Sequence, residues 1–130
     1  MSGKDDSNRI IVQGAWGTVA YAVRKNGNMP AKKALDDIEK SDKKNWLRIN
    51  ALLATLSNKG KISNPSQFKH LDGPIYEIKR HPYRIACFFQ ANKCVLLTHV
   101  FDKKSDSSRA YVSKEIEKAK TIMNEHLSRK

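Results

Sequence analysis

The sequence predicts an α+β domain, and three observations predict it. Strand-like and helix-like hydrophobic periods come in blocks, in the order strand, two helices, three strands, helix. The three central strand-like runs are joined by two residues each, and connections that short force antiparallel pairing. The length, 130 residues with 39% hydrophobic content, suffices for one core and not comfortably for two.

Residues 1–8 (MSGKDDSN) read as a disordered lead-in, and residues 9–130 as a single domain. The stretch RIIVQGAWGTVAYAVRKNGN is rich in β-branched and aromatic residues but broken by Gly14 and Gly17. Its best strand covers residues 18–24 and stops at Asn26 and Gly27. Pro30 suits a first helical position, and Ala31, Ala34, Leu35 and Ile38 follow at helical spacing, so residues 30–40 are expected to form a helix. Ser41 or Asp42 caps a second helix with a buried stripe of Trp46, Ile49, Leu53 and Leu56; Asn58, Lys59 and Gly60 end it. Residues 61–73 have no period, contain Pro65 and the turn pair Asp72 and Gly73, and read as a loop. A three-stranded antiparallel meander follows, over residues 75–80, 83–90 and 93–101. The polar residues 103–108 lead into a C-terminal helix marked by Val112, Ile116, Ala119 and Met123.

The meander's register can be written down. A two-residue turn at His81 and Pro82 sets Lys79 opposite Arg84, and one at Ala91 and Asn92 sets Arg84 opposite His99. Side chains alternate between faces. One face then collects Tyr76, Ile78, Tyr83, Ile85, Cys87, Phe89, Cys94, Leu96, Thr98 and Val100, an apolar surface for the helices. The other carries Ile75, Glu77, Lys79, Arg84, Ala86, Phe88, Val95, Leu97, His99 and Phe101, apolar at one end and charged at the other. Like charges directly opposite one another destabilise a sheet, so a row of Lys79, Arg84 and His99 asks for an anion, and we read it as a phosphate site. A solvated face with splayed side chains is the plainer alternative, and a slip of one residue dissolves the row. In this register Cys87 and Cys94 are diagonal neighbours, roughly 7 Å apart at Cβ. They read as buried thiols rather than a disulfide.

Charge sets the partner class. There are 25 Lys and Arg against 13 Asp and Glu, a formal net charge of +12. The excess is even: twelve basic residues against six acidic ones up to Pro65, thirteen against seven after it. Basic groups spread through the folded part argue for a charged surface or cleft facing a polyanion, either nucleic acid or an acidic protein. No apolar run approaches the roughly 20 residues of a membrane helix. The first residues lack the apolar stretch of a secretory signal, so a cytoplasmic protein is expected. His70, His81, His99 and His126 show no metal-ligand spacing, and neither metal nor other cofactor is expected.

A basic row with a histidine and no acidic cluster suits metal-free cleavage of RNA, in which the ribose 2′-OH attacks the adjacent phosphate. The catalytic candidates are Arg84 as phosphate clamp, His99 for proton transfer, and Lys79 and Lys103 as further cations. Lys79 and Arg84 should depress the His99 pKa, and a bound phosphate should raise it. Lys69, His70, Arg80 and Lys104 are candidates for binding RNA, with Lys69 and His70 placed to close over the site.

These residues also carry a resemblance. The run contains Leu71, Gly73, Glu77, Ile78 and Lys79, then Tyr83, Arg84 and Ile85, then Leu96, Leu97, Phe101, Lys103 and Lys104, then Glu115, Ile116 and Ala119. In that order and spacing it resembles the phage Gp49-like/HigB branch of the RelE/ParE toxin superfamily, over roughly residues 18–127. The resemblance implies a RelE-like single domain and the toxin of a type II toxin–antitoxin pair. The implied toxin is a metal-independent mRNA endonuclease that depends on the ribosome and blocks translation. It further implies mRNA on the ribosome as substrate, and a cognate antitoxin with a helix-turn-helix DNA-binding domain as partner. Some relatives poison DNA gyrase instead, so a ParE-like toxin, or a degenerate binder of nucleic acid or antitoxin, is the alternative. The chain departs from the pattern at Ser105, Asp106, Ser107 and Ser108, where relatives often carry Lys-Thr-Pro, and in an extension over residues 10–17.

Overall fold

The computed structural model describes residues 9–102 and 109–129. In chain order the elements are β1 (Ile10–Gln13), β2 (Thr18–Tyr21), α1 (Pro30–Ser41), α2 (Lys43–Lys59), β3 (Phe68–Asp72), β4 (Ile75–Arg80), β5 (Tyr83–Gln90), β6 (Cys94–Asp102) and α3 (Arg109–Leu127). The α+β class stands, but the meander is the middle of a larger sheet. Six strands lie in the order β1-β2-β6-β5-β4-β3, and every neighbouring pair is antiparallel except β2 with β6.

The helix pair forms where expected, for the expected reasons. Pro30 occupies the first turn of α1, where its missing N–H costs nothing, and Ala31, Leu35 and Ile38 are buried. Asp42 serves both helices. Its N–H donates to Ile38 O at 2.7 Å, closing α1, and its carboxylate accepts from Asn45 at the start of α2. The Tyr83 hydroxyl also donates to Asp42 Oδ2, at 3.0 Å, tying the corner between the helices to β5. At the far end of α2, Gly60 adopts φ 76° and its N–H returns to Leu56 O, a left-handed cap that favours glycine.

Two apolar layers result, one on each face of the sheet. Ala31, Leu35 and Ile38 of α1 and Ile49, Leu53 and Leu56 of α2 pack on Val19, Ile78, Ile85, Cys87, Val95 and Leu97. On the opposite face Ala119 and Ile122 of α3 pack on Ala20, Ala22, Ile75, Ala86, Phe88, Leu96 and Phe101. The buried stripe of α3 is Ala119, Ile122 and His126, turned from the expected one. Val112, Ile116 and Met123 are half-buried.

Three expectations need correction. Residues 61–73 are not loop throughout: Phe68–Asp72 forms β3, the edge strand beside β4, bulged between His70 and Asp72. The turn between β5 and β6 has three residues, not two. Asn92 and Lys93 both have positive φ, at 70° and 55°, and Gln90 pairs with Cys94. That extra residue turns Cys94 and Leu96 toward α3, and Val95 and Leu97 toward the helix pair. A bulge then leaves Thr98 without a partner across the strand and restores His99 and Phe101 to their expected face. The two cysteines therefore lie on opposite faces, as free thiols. Finally, the face carrying Glu77, Arg84 and His99 is not open, because α3 lies across it.

Candidate functional site

The predicted row of three basic residues is half present. The turn at His81 and Pro82 has the expected length, and Lys79 pairs with Arg84. Arg84, however, faces Phe101 rather than His99 on β6, and His99 faces Ala86 two residues further along. The next row across the sheet therefore runs Lys69, Glu77, Ala86, His99. Arg84, in the first row, is the diagonal neighbour of Glu77 in the second. Its Nη1 is 3.5 Å from Glu77 Oε1, within reach of charge attraction but beyond a good hydrogen bond. Glu77 is 1% exposed and Arg84 8%, and neither Glu77 Oε1 nor Arg84 Nε has a hydrogen-bond partner among the described residues. The anion that the row called for is thus supplied in part by the protein, and the guanidinium keeps donor capacity.

His99 sits under α3, 2% exposed. Its Nε2 is 2.8 Å from Glu115 Oε1; a carboxylate can only accept, so Nε2 carries the proton. On its other side Nδ1 is 3.2 Å from the Thr98 hydroxyl, which also lies 3.1 Å from the Ala86 carbonyl. Phe101 stacks on the ring, with centroids 5.5 Å apart and planes at 27°. Burial pushes the His99 pKa below the ordinary histidine value; the Glu115 hydrogen bond opposes this, while Lys118 and Arg24 reinforce it. The direction is the expected one, but its causes are burial and cations other than Lys79 and Arg84. The Glu115 side chain is 19% exposed, so the carboxylate is the more open end of this pair.

The remaining candidates divide. Lys79 is half-buried beside Arg84. Lys69 and His70 are exposed on β3; Lys69 shares the face of Glu77, while the His70 Nε2 lies 2.7 Å from Gly73 O and its ring leans on Tyr76. Arg80 is half-buried next to Lys79 in sequence but on the helix-pair side of the sheet, and its Nε lacks a hydrogen-bond partner among the described residues. Lys103 and Lys104 lie outside the described residues. Two carboxylates, Glu77 and Glu115, were not expected as site members. The signal for Glu77 was legible, since it shares strand parity with Lys79. That for Glu115 was its place in the family-like run, but contact with His99 depends on how α3 crosses the sheet.

Among the described residues no group of three His, Cys, Asp or Glu is arranged to hold a metal ion, and no helix is long and apolar enough to cross a membrane. Comparison with known proteins supplies the rest. Residues 35–124 match the family described as Phage derived protein Gp49-like (DUF891). An uncharacterized protein of Aquifex aeolicus (strain VF5) is 34% identical over 81 residues. That similarity covers 62% of this chain and 58% of the Aquifex protein, so the chain spans little more than half the length of that relative. The Gp49-like family lies in the RelE toxin-like superfamily and is associated with toxins of toxin–antitoxin pairs. The matched span takes in part of α1, all of α2 and of β3 to β6, and most of α3, and with them Glu77, Lys79, Arg84, His99 and Glu115; the chain belongs to the phage-derived Gp49-like protein family.

Proposed function

We propose that this chain is the toxin of a type II toxin–antitoxin pair, of the HigB type, and that it cuts mRNA on the translating ribosome without a metal. The observation that carries the reading is the Lys79 and Arg84 pair, two cations fixed opposite one another beside a carboxylate that holds only one end of the guanidinium. Such a fork is shaped for two phosphate oxygens, and a preformed cation pair stabilises charge that builds as a 2′-oxygen attacks phosphorus. In this reading Arg84 and Lys79, with Lys103, stabilise the phosphorane. His99 and Glu115, joined through the Nε2 proton, form the proton-transfer pair. Lys69, His70, Arg80 and Lys104 hold the RNA backbone, and the net charge of +12 draws the protein to it. The partner that silences it is an antitoxin with a helix-turn-helix domain.

Induced expression tests this reading. Growth arrest with mRNA cut at mappable internal ends, in cells whose DNA supercoiling is normal, is the expected result. Arg84→Lys keeps a cation beside Glu77 and removes the planar fork, so it should relieve the arrest at unchanged protein level. Arrest with intact mRNA and lost gyrase supercoiling would replace this reading with that of a ParE-like poison.

A further inference from the structure

We propose that Glu115 is the general base of the cleavage reaction and that His99 is its positioning residue; this deepens the endonuclease reading and rests on it. The catalytic candidates named from the sequence are all cations or histidines, and none of the cations is suited to accept a proton from a ribose hydroxyl at neutral pH. His99 is sealed: it is 2% exposed, with Nε2 held by Glu115 and Nδ1 3.2 Å from the buried Thr98 hydroxyl. Glu115 is the partner that reaches outward. Its side chain is 19% exposed, and Oε1 is held by His99 at 2.8 Å. That leaves Oε2 for a substrate hydroxyl, with no hydrogen-bond partner among the described residues.

The surroundings fit a base of this kind. His99 lies one strand pair along from the row of Lys79, Arg84 and Phe101, so Glu115 stands over the same end of the sheet as the phosphate-holding cations. Phe101 stacks on the imidazole and fixes its plane, and Thr98 backs it. The ring can therefore present one proton to Oε1 and orient the carboxylate. This is the arrangement in which a buried imidazole keeps a carboxylate aimed rather than reacting itself.

The step balances without a cofactor. Glu115 Oε2 takes the proton of the ribose 2′-OH, and the freed electron pair forms the bond from the 2′-oxygen to phosphorus. The bond from phosphorus to the 5′-oxygen breaks with its electron pair, and that oxygen takes a proton from water. One RNA end carries a 2′,3′-cyclic phosphate, the other a 5′-hydroxyl, and Glu115 returns its proton to water.

The test uses the full chain in a translation reaction programmed with a defined mRNA. Single-turnover cleavage is followed at neutral pH. Glu115→Gln is the informative variant. Its amide oxygen still accepts from His99 Nε2, so α3 stays docked, which the thermal midpoint checks. Cleavage should slow by about 100-fold or more, with RNA affinity unchanged. Glu115→Ala should regain part of its rate when formate is added. If Glu115→Gln cuts as fast as the unchanged protein, or formate restores nothing to Glu115→Ala, the assignment is overturned. If the unchanged protein cuts no mRNA in this reaction, the endonuclease reading falls first, before any variant is compared.

Discussion

Arg84 and Glu77 decide how the charged end of the sheet is read at the level of single residues. A guanidinium beside a carboxylate that is 1% exposed is a buried pair, and its two members are not equally replaceable. Removing either leaves an uncompensated charge in a low-dielectric site, at about 3–5 kcal/mol, whereas removing both together is often close to neutral. Arg84→Met should therefore lower the denaturant midpoint strongly, and Arg84→Met with Glu77→Leu should recover most of the loss while RNA cleavage stays absent. Equal stability of the single and double variants would show that the two side chains do not depend on each other for stability. The same geometry explains why substitution of Arg84 by alanine is a poor probe of function: it removes the phosphate clamp and unbalances Glu77 at once. Lysine at that position separates the two effects.

At the level of elements, α3 is where expectation and structure part, and the part can be tested. The spacing of Val112, Ile116, Ala119 and Met123 is a helical stripe, but the face that docks is Ala119, Ile122 and His126. Ile122 is fully buried against the sheet and Ile116 only half-buried. Ile122→Ala should cost about 2–4 kcal/mol in urea unfolding, and Ile116→Ala clearly less. The reverse order would place the docked face where the spacing put it. Helices α1 and α2 were legible because Pro30, Asp42 and Gly60 mark their ends with residues whose backbone chemistry permits little else. Strand β3 was not, because Phe68 to Asp72 alternates weakly and owes its extended form to the free edge of β4. The turn before β6 hid its third residue because Lys93 adopts a positive φ, a conformation that lysine does not advertise. One residue there, together with the bulge at Thr98, moved Arg84 opposite Phe101. Lys79 and Arg84, joined by a turn of the expected length, could be paired on paper; His99 and Glu115 could not, since their contact needs the bulge at Thr98 and the docking of α3 together.

For the whole molecule, two histidines between α3 and the sheet link stability to pH. His126 Nδ1 accepts the Val23 N–H at 2.9 Å, so that nitrogen must be unprotonated, and burial, then Arg9 and Arg129, lower its pKa. His99 is lowered too, by burial first, with Lys118 and Arg24 adding to it against Glu115. A histidine whose folded pKa is depressed binds fewer protons folded than unfolded, so stability rises with pH across the interval between the two values. Stability is therefore full above the unfolded value of about 6.5 and is lost as pH falls below it through the folded values. The carboxylates act lower down. Glu125 is held at about 2 by its hydrogen bonds to Arg24 and the Lys25 N–H, so its contribution is lost only as pH falls from the ordinary glutamate range toward that value. A chain of net charge +12 also resists further protons, in the same direction. Thermal midpoints should thus fall between about pH 7.5 and 5.5. In His126→Gln, whose side-chain oxygen can still accept from Val23, the fall should be shallower, whatever the absolute midpoint. Parallel curves for the two proteins would mean that α3 is held to the sheet by its apolar contacts and by the ion pairs of Glu125 and Lys120, with His126 taking no proton as the chain unfolds.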